Sequence, residues 1–197
     1  MVKLKKDFYL RDDVVQIAKE LLGKYLFTKF NGKITGGIIS ETEAYNGIID
    51  RASHAYGGRR TGRTEIMYRE GGTAYVYLCY GIHSLFNVVT NAKEIPHAVL
   101  IRSIHPTHGI DVMLKRRKKK SVDKTLTNGP GSVGQALGIH YSHTGLSLHG
   151  NKIWIEDKNY IAAAPIAIGA QIEITKRIGI DYAGEAIHYP YRFVLKI

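Results

Sequence analysis

The 197-residue chain has a single cysteine, Cys79. No intrachain disulfide can form, and one thiolate cannot build a multi-thiolate zinc site. Acidic residues are scarce: 17 Asp and Glu stand against 28 Lys and Arg, a formal net charge of +11. That balance favours polyanionic partners, nucleic acid first and an anionic membrane second. Long apolar runs are missing too. The most apolar stretch, residues 161–170, is short and contains Pro165, so it cannot span a bilayer as a helix. The N-terminal MVKLKKDFYL lacks the apolar core of a signal peptide, which makes the cytoplasm the expected location. There are nine histidines but no H-E-x-x-H and no H-x-E with P-C-x-x-C, so neither a metal-dependent nuclease nor a deaminase is expected, and no metal or cofactor. GPGSVGQALG lacks the lysine and hydroxyl pair of a Walker loop.

What is present concentrates between residues 39 and 87. The apolar, β-branched run 33–40 (KITGGIIS) reads as a strand leading into Glu41 and Glu43. Residues two apart on an extended chain share a face, and Tyr45 joins them if the strand continues. A loop over 46–60 follows, holding His54, two glycines, Arg59 and Arg60. Glycine lets a backbone approach a ligand closely, and arginine seeks phosphate. After a short segment around 64–68, residues 73–79 (TAYVYLC) read as a second strand with Tyr75 and Tyr77 on one face. Tyr80-Gly81 then breaks the run and places Tyr80 on a turn; the next strand, 86–90, begins beside Asn87. Carboxylate, histidine, co-facial phenols, a phenol on a turn and arginines are the inventory of an enzyme that works on an extruded base.

Elsewhere, residues 12–22 carry a helical apolar stripe, with Gly23 as its stop. Asn31-Gly32 is a hairpin turn joining strands 25–30 and 33–40. Residues 98–104 read as a buried strand interrupted by Arg102, which needs a carboxylate or phosphate partner if buried. A helix over 109–118 runs into KRRKKK, and 115–125 is expected as a basic, mobile loop. A short helix spans 132–137, capped by Asn128 or Gly129 with Pro130 in its first turn. Strands are expected at 152–156, 171–175 and 191–195, a connection at 162–170 and a turn at 177–180. Many short strands with few helices predict an α+β fold: one domain over 1–197 with a curved, mostly antiparallel sheet flanked by short helices.

The series ETEAY, His54, GGRRT, Met67-Tyr68, YVYLCYG, Asn87 and VLIR ending at Arg102 resembles the alkyladenine (3-methyladenine) DNA glycosylase family, bacterial type. The resemblance covers most of the chain. It implies a monofunctional enzyme, acting as a monomer on double-stranded DNA of the nucleoid. It would flip damaged purines (3-methyladenine, 7-methylguanine, hypoxanthine, ethenoadenine) and hydrolyse the N-glycosidic bond. By resemblance Glu43 activates the water, with Glu41 its local rival. Tyr45 and Tyr77 become the walls of the base pocket and His54 closes it, with the His54 backbone N–H and the Ala52 carbonyl meeting the base edge. Tyr75 is assigned to core packing. Tyr80 becomes the wedge in the duplex with Ile82 beside it, Asn87 excludes guanine, and Arg59, Arg60 and Arg102 hold the DNA backbone. Ile82 stands where some relatives have a longer methionine. A DNA-binding protein without catalysis is the main rival, and Glu43 inside a cationic site argues against it. A lyase would need an amine nucleophile, which the many lysines leave open.

Overall fold

The computed structural model describes residues 2–157 and 171–196. Its spine is a hairpin. β2 (Tyr25–Phe30) and β3 (Lys33–Tyr45) pair antiparallel, with Phe30 opposite Lys33 and Tyr25 opposite Ile38. Asn31 and Gly32 both have positive φ, the turn that Asn-Gly favours. β3 is longer than expected and carries Glu41, Glu43 and Tyr45 within the strand.

β6 (His97–His108) lies along β3, followed outward by β5 (His83–Thr90) and β4 (Thr73–Cys79). On the other side β2 meets β7 (Ile153–Asp157) and then β1 (Val2–Lys3). β9 (Arg192–Lys196) takes the edge of β3 over Glu41–Glu43 and pairs in turn with β8 (Gln171–Thr175). All these pairings are antiparallel. β3 therefore has β2 on its first half and β9 on its second. The change-over falls at a register shift between Ile39 and Glu41, and a second shift at Glu41/Thr42 leaves Arg102 as the extra residue of β6. Bulges bend a strand and re-aim a side chain. Here they turn Arg102 toward the glutamates.

α1 (Lys6–Tyr9) is a single turn that buries Tyr9. α2 (Val14–Leu21) buries Val14, Ile17, Ala18 and Leu21 against the sheet. The helix begins two residues later than the stripe suggested, because the Asp13 side chain caps it by accepting from the Gln16 N–H at 2.9 Å. Ile17 is fully buried, so Ile17→Ala would cost about 2–5 kcal/mol. α3 (Ile110–Arg117) and α4 (Pro130–Leu137) pack against each other, and α4 lies on β5 and β6. Gly129 caps α4 and Pro130 is its first residue. The helix expected over 109–118 is α3, and it takes in the start of the basic run. Lys115, Arg116 and Arg117 form the last turn of α3. Arg116 donates to the Ala136 carbonyl at 3.0 Å and Arg117 to Ser132 Oγ at 3.0 Å, so α4 supplies acceptors that hold the run in place. Lys119 pairs with Asp123 at 2.8 Å. The connection expected at 162–170 lies outside the described residues. The fold is α+β, with one sheet over a helical layer. Among the described residues no helix is long and apolar enough to cross a membrane.

Candidate active site

The second half of β3, the outer strands β4–β6 and two loops enclose a cavity of ≈ 230 Å³. Tyr45, His54, Tyr75, Tyr77, Asn87 and Arg102 line it, with Ala52 and Ile178 at its edges.

Glu43 lies behind the cavity wall and has no exposed surface. Its Oε2 accepts from the Tyr45 hydroxyl at 2.9 Å, and its Oε1 from the Ile178 N–H at 2.9 Å. Arg102 Nη1 stands 3.4 Å from Oε1. Burial raises the Glu43 carboxyl above the ordinary glutamate range; Arg102, the Ile178 N–H and the Tyr45 hydroxyl pull back only part of that shift. Glu43 does not line the cavity, but all three of its partners do. A carboxylate has about four lone-pair sites. Three donors approach this one, which leaves one lone-pair site unused.

Glu41 is occupied differently. Its Oε1 accepts from Arg102 Nε at 2.8 Å and from Arg192 Nε at 2.6 Å. Both guanidiniums sit on one oxygen, and Glu41 does not line the cavity. Arg102, expected on the DNA backbone, has its guanidinium inside the cavity against both glutamates, and its side chain is 12% exposed.

His54 Nδ1 is 2.8 Å from the Tyr75 hydroxyl, and Nε2 is 3.2 Å from Arg63 Nη2. A guanidinium can only donate. Nε2 must then accept, so the neutral ring keeps its proton on Nδ1 and gives it to Tyr75. Burial, then Arg63 and Arg59, lower the His54 pKa to about 4, so the ring is neutral at neutral pH. Tyr75 packs in the core as expected, 2% exposed in a cluster with Ala55, Met67 and Val89. Its hydroxyl is satisfied by His54, and the residue also contributes to the cavity lining. The Tyr77 ring meets His54 edge-on at 4.8 Å. Asn87 donates Nδ2 to the Tyr75 carbonyl at 3.1 Å, which fixes the orientation of its amide.

Behind Tyr45 sits an ion pair that no local pattern announces. Arg177 Nη2 donates to Asp50 Oδ1 at 2.9 Å, and Nη1 to the Ala44 carbonyl at 2.8 Å. Asp50 also accepts the backbone N–H groups of Asn46 and Ala52, each at 3.0 Å. Both side chains are fully buried. One carboxylate thus ties the loop that carries Ala52 and His54 to the loop that delivers Ile178 to Glu43. The Arg177 guanidinium also lies 4.8 Å from the Tyr45 ring centre.

Tyr80 stands at the tip of the β4–β5 hairpin, 90% exposed, with φ of 51°. Gly81 follows at φ 73°, and the Ile82 N–H closes the turn on the Cys79 carbonyl at 3.1 Å. Ile82 is 73% exposed. Arg59 lines a basic hollow beside the cavity, with Arg51 and Arg63. Arg60 is engaged instead with Glu65 at 2.8 Å and with Glu94, and its guanidinium lies over Tyr68. Arg63 went unremarked in the sequence although it follows Arg59 and Arg60 in the same run. Among the described residues no group of three His, Cys, Asp or Glu is placed to hold a metal.

This geometry coincides with extensive sequence similarity. The model of a family described as methylpurine-DNA glycosylase matches residues 7–197. A Chlamydia felis protein is 50% identical over 195 residues, covering 98% of this chain and 96% of its own. Proteins of Bacillus cytotoxicus and Clostridium perfringens (strain 13 / Type A) are 46% and 44% identical, covering 98% and 99% of this chain and 95% and 96% of theirs. All three carry the provisional name 3-methyladenine DNA glycosylase. Matched over nearly its whole length in this way, the chain belongs to the methylpurine-DNA glycosylase family.

Proposed function

We propose that the protein removes damaged purines from duplex DNA by hydrolysing the N-glycosidic bond, as the names of its relatives suggest. The substrates are 3-methyladenine, 7-methylguanine, hypoxanthine and ethenoadenine, and the product is an unbroken strand with an abasic site. The protein acts as a monomer on the DNA of the cytoplasmic nucleoid, and its charge of +11 suits that polyanion.

The observation that carries the reading is the buried Glu43 at the closed side of an aromatic cavity, within hydrogen-bond reach of cavity-lining Tyr45. Tyr80 enters the duplex as the wedge, with Ile82 beside it, while the damaged purine swings between Tyr45 and Tyr77. His54, through its backbone N–H, and Ala52, through its carbonyl, meet the base edge. Asn87 opposes the exocyclic amine of guanine. Arg59, on the exposed rim, holds a backbone phosphate. Glu43 takes a proton from water as the water oxygen bonds to C1′. The C1′–N9 bond breaks and its electron pair leaves with the base. The carboxylate also offsets positive charge on the sugar. A raised pKa makes Glu43 a stronger base than a surface glutamate. Arg102 steadies both carboxylates and so keeps Glu43 ionised.

A panel of duplex oligonucleotides, each with one lesion and assayed in chelator, tests the reading. Base release without strand cleavage until alkali is added is the expected result. Glu43→Gln should bind the same duplexes and lose about 10²–10⁴-fold in release rate. Near wild-type turnover by that variant rejects the assignment.

A further inference from the structure

We propose that Arg63 is a specificity-determining residue: an uncompensated guanidinium that places positive potential behind the base pocket and so favours neutral damaged purines over cationic, N-methylated ones. The inference rests on the glycosylase reading and extends it to the class of base preferred.

Each of the two aromatic walls has a guanidinium over it. Arg177 lies 4.8 Å from the Tyr45 ring centre and Arg63 lies 4.6 Å from that of Tyr77. Both rings line the cavity and neither arginine does. Each cation therefore covers the ring face turned away from the base. The two are not equivalent. Asp50 answers the charge of Arg177 through two hydrogen bonds. Arg63 forms no ion pair among the described residues. Its Nη2 contacts His54 Nε2 at 3.2 Å, a neutral acceptor. The depressed pKa of His54, to which Arg63 contributes after burial, reports the same positive potential inside the pocket.

A base stacked on Tyr77 at van der Waals distance would lie roughly 8 Å from this cation, within one Debye length at physiological salt. When a neutral purine departs, the bonding pair of C1′–N9 gathers on the base as negative charge, and a nearby cation stabilises it. An N-methylated purine starts positive and becomes neutral as it leaves. It gains nothing from Arg63 in the transition state and is repelled while bound. The gain of a cationic base over a tyrosine face is also reduced, because that ring already serves a cation.

The test measures kcat/KM for release of hypoxanthine and of 3-methyladenine from duplex DNA, in wild type, Arg63→Gln and Arg63→Lys. Glutamine keeps a donor for His54 and removes the charge; lysine keeps the charge. Arg63 is exposed, so both variants should fold, and thermal unfolding checks this. Arg63→Gln is expected to raise the ratio of 3-methyladenine to hypoxanthine release by about threefold or more, and Arg63→Lys to leave it within about twofold of wild type. A residue that only holds phosphate would lower both substrates together with no change in the ratio, and that result overturns the proposal. So does an equal shift in the lysine variant. Release of neither base by the wild-type protein overturns the glycosylase reading, and this inference with it.

Discussion

Replacing Tyr80 with asparagine should make the protein more stable and less able to hold an extruded base. Tyr80 has φ of 51° in a turn whose next residue is also left-handed, and its side chain is 90% exposed. The left-handed conformation costs an L-residue about 1–2 kcal/mol, and asparagine tolerates it far better. Asn-Gly is the favoured pair for a turn with positive φ at both central positions. The ring contributes almost no buried area, so removing it forfeits little. The expected gain is about 1 kcal/mol, or roughly 2–4 °C in melting temperature for a chain of this length. Thermal unfolding without DNA measures it. Capture of a lesion in the extruded state, read by fluorescence of a base analogue opposite the lesion, should weaken at the same time. An unchanged or lower melting temperature would show that the tyrosine is held by contacts and not strained. Strain kept at an exposed aromatic, where glycine or asparagine would relieve it, fits a group shaped for DNA and not for folding.

Three further outcomes follow from the same geometry. The raised Glu43 pKa places the acid limb of kcat/KM above the ordinary glutamate value of about 4.3, with activity rising with pH through it; a limb at or below that value would contradict the buried environment. The sign for stability is the reverse: Glu43 binds its proton more tightly when folded, so its contribution falls as pH rises through the folded pKa, and Glu43→Gln should flatten that part of the stability profile. Arg177→Met strands Asp50 as a buried unpaired charge and should destabilise by about 3–5 kcal/mol in urea titration; a loss below about 1 kcal/mol would mean that water reaches the pair.

Much of the frame was legible because the signals were local. Asn31-Gly32 announces its hairpin, the alternation over residues 73–79 puts Tyr75 and Tyr77 on one face, and the resemblance assigns Tyr77 to the pocket. The order of motifs brought Glu43, Tyr45, His54 and Tyr77 together as one set. What escaped depends on chain segments far apart in sequence. Asp50 and Arg177 are 127 residues apart, and nothing near either predicts the other. A buried Arg102 needs a carboxylate or a phosphate, and only the register shift beside it turns it to Glu41. The acceptors that Arg116 and Arg117 find on α4 were not legible, because sequence proximity does not reveal them.

The wide separation of Asp50 and Arg177 bears on how the enzyme is made. A ribosome delivers Tyr45, His54 and Tyr77 long before Arg177, Ile178 and the strand that closes the edge of β3 at Glu41–Glu43. Until those last segments emerge, Asp50 lacks its counter-ion and Glu43 lacks its backbone donor. The wall around Tyr45 is thus finished last, by the segments that the chain yields last.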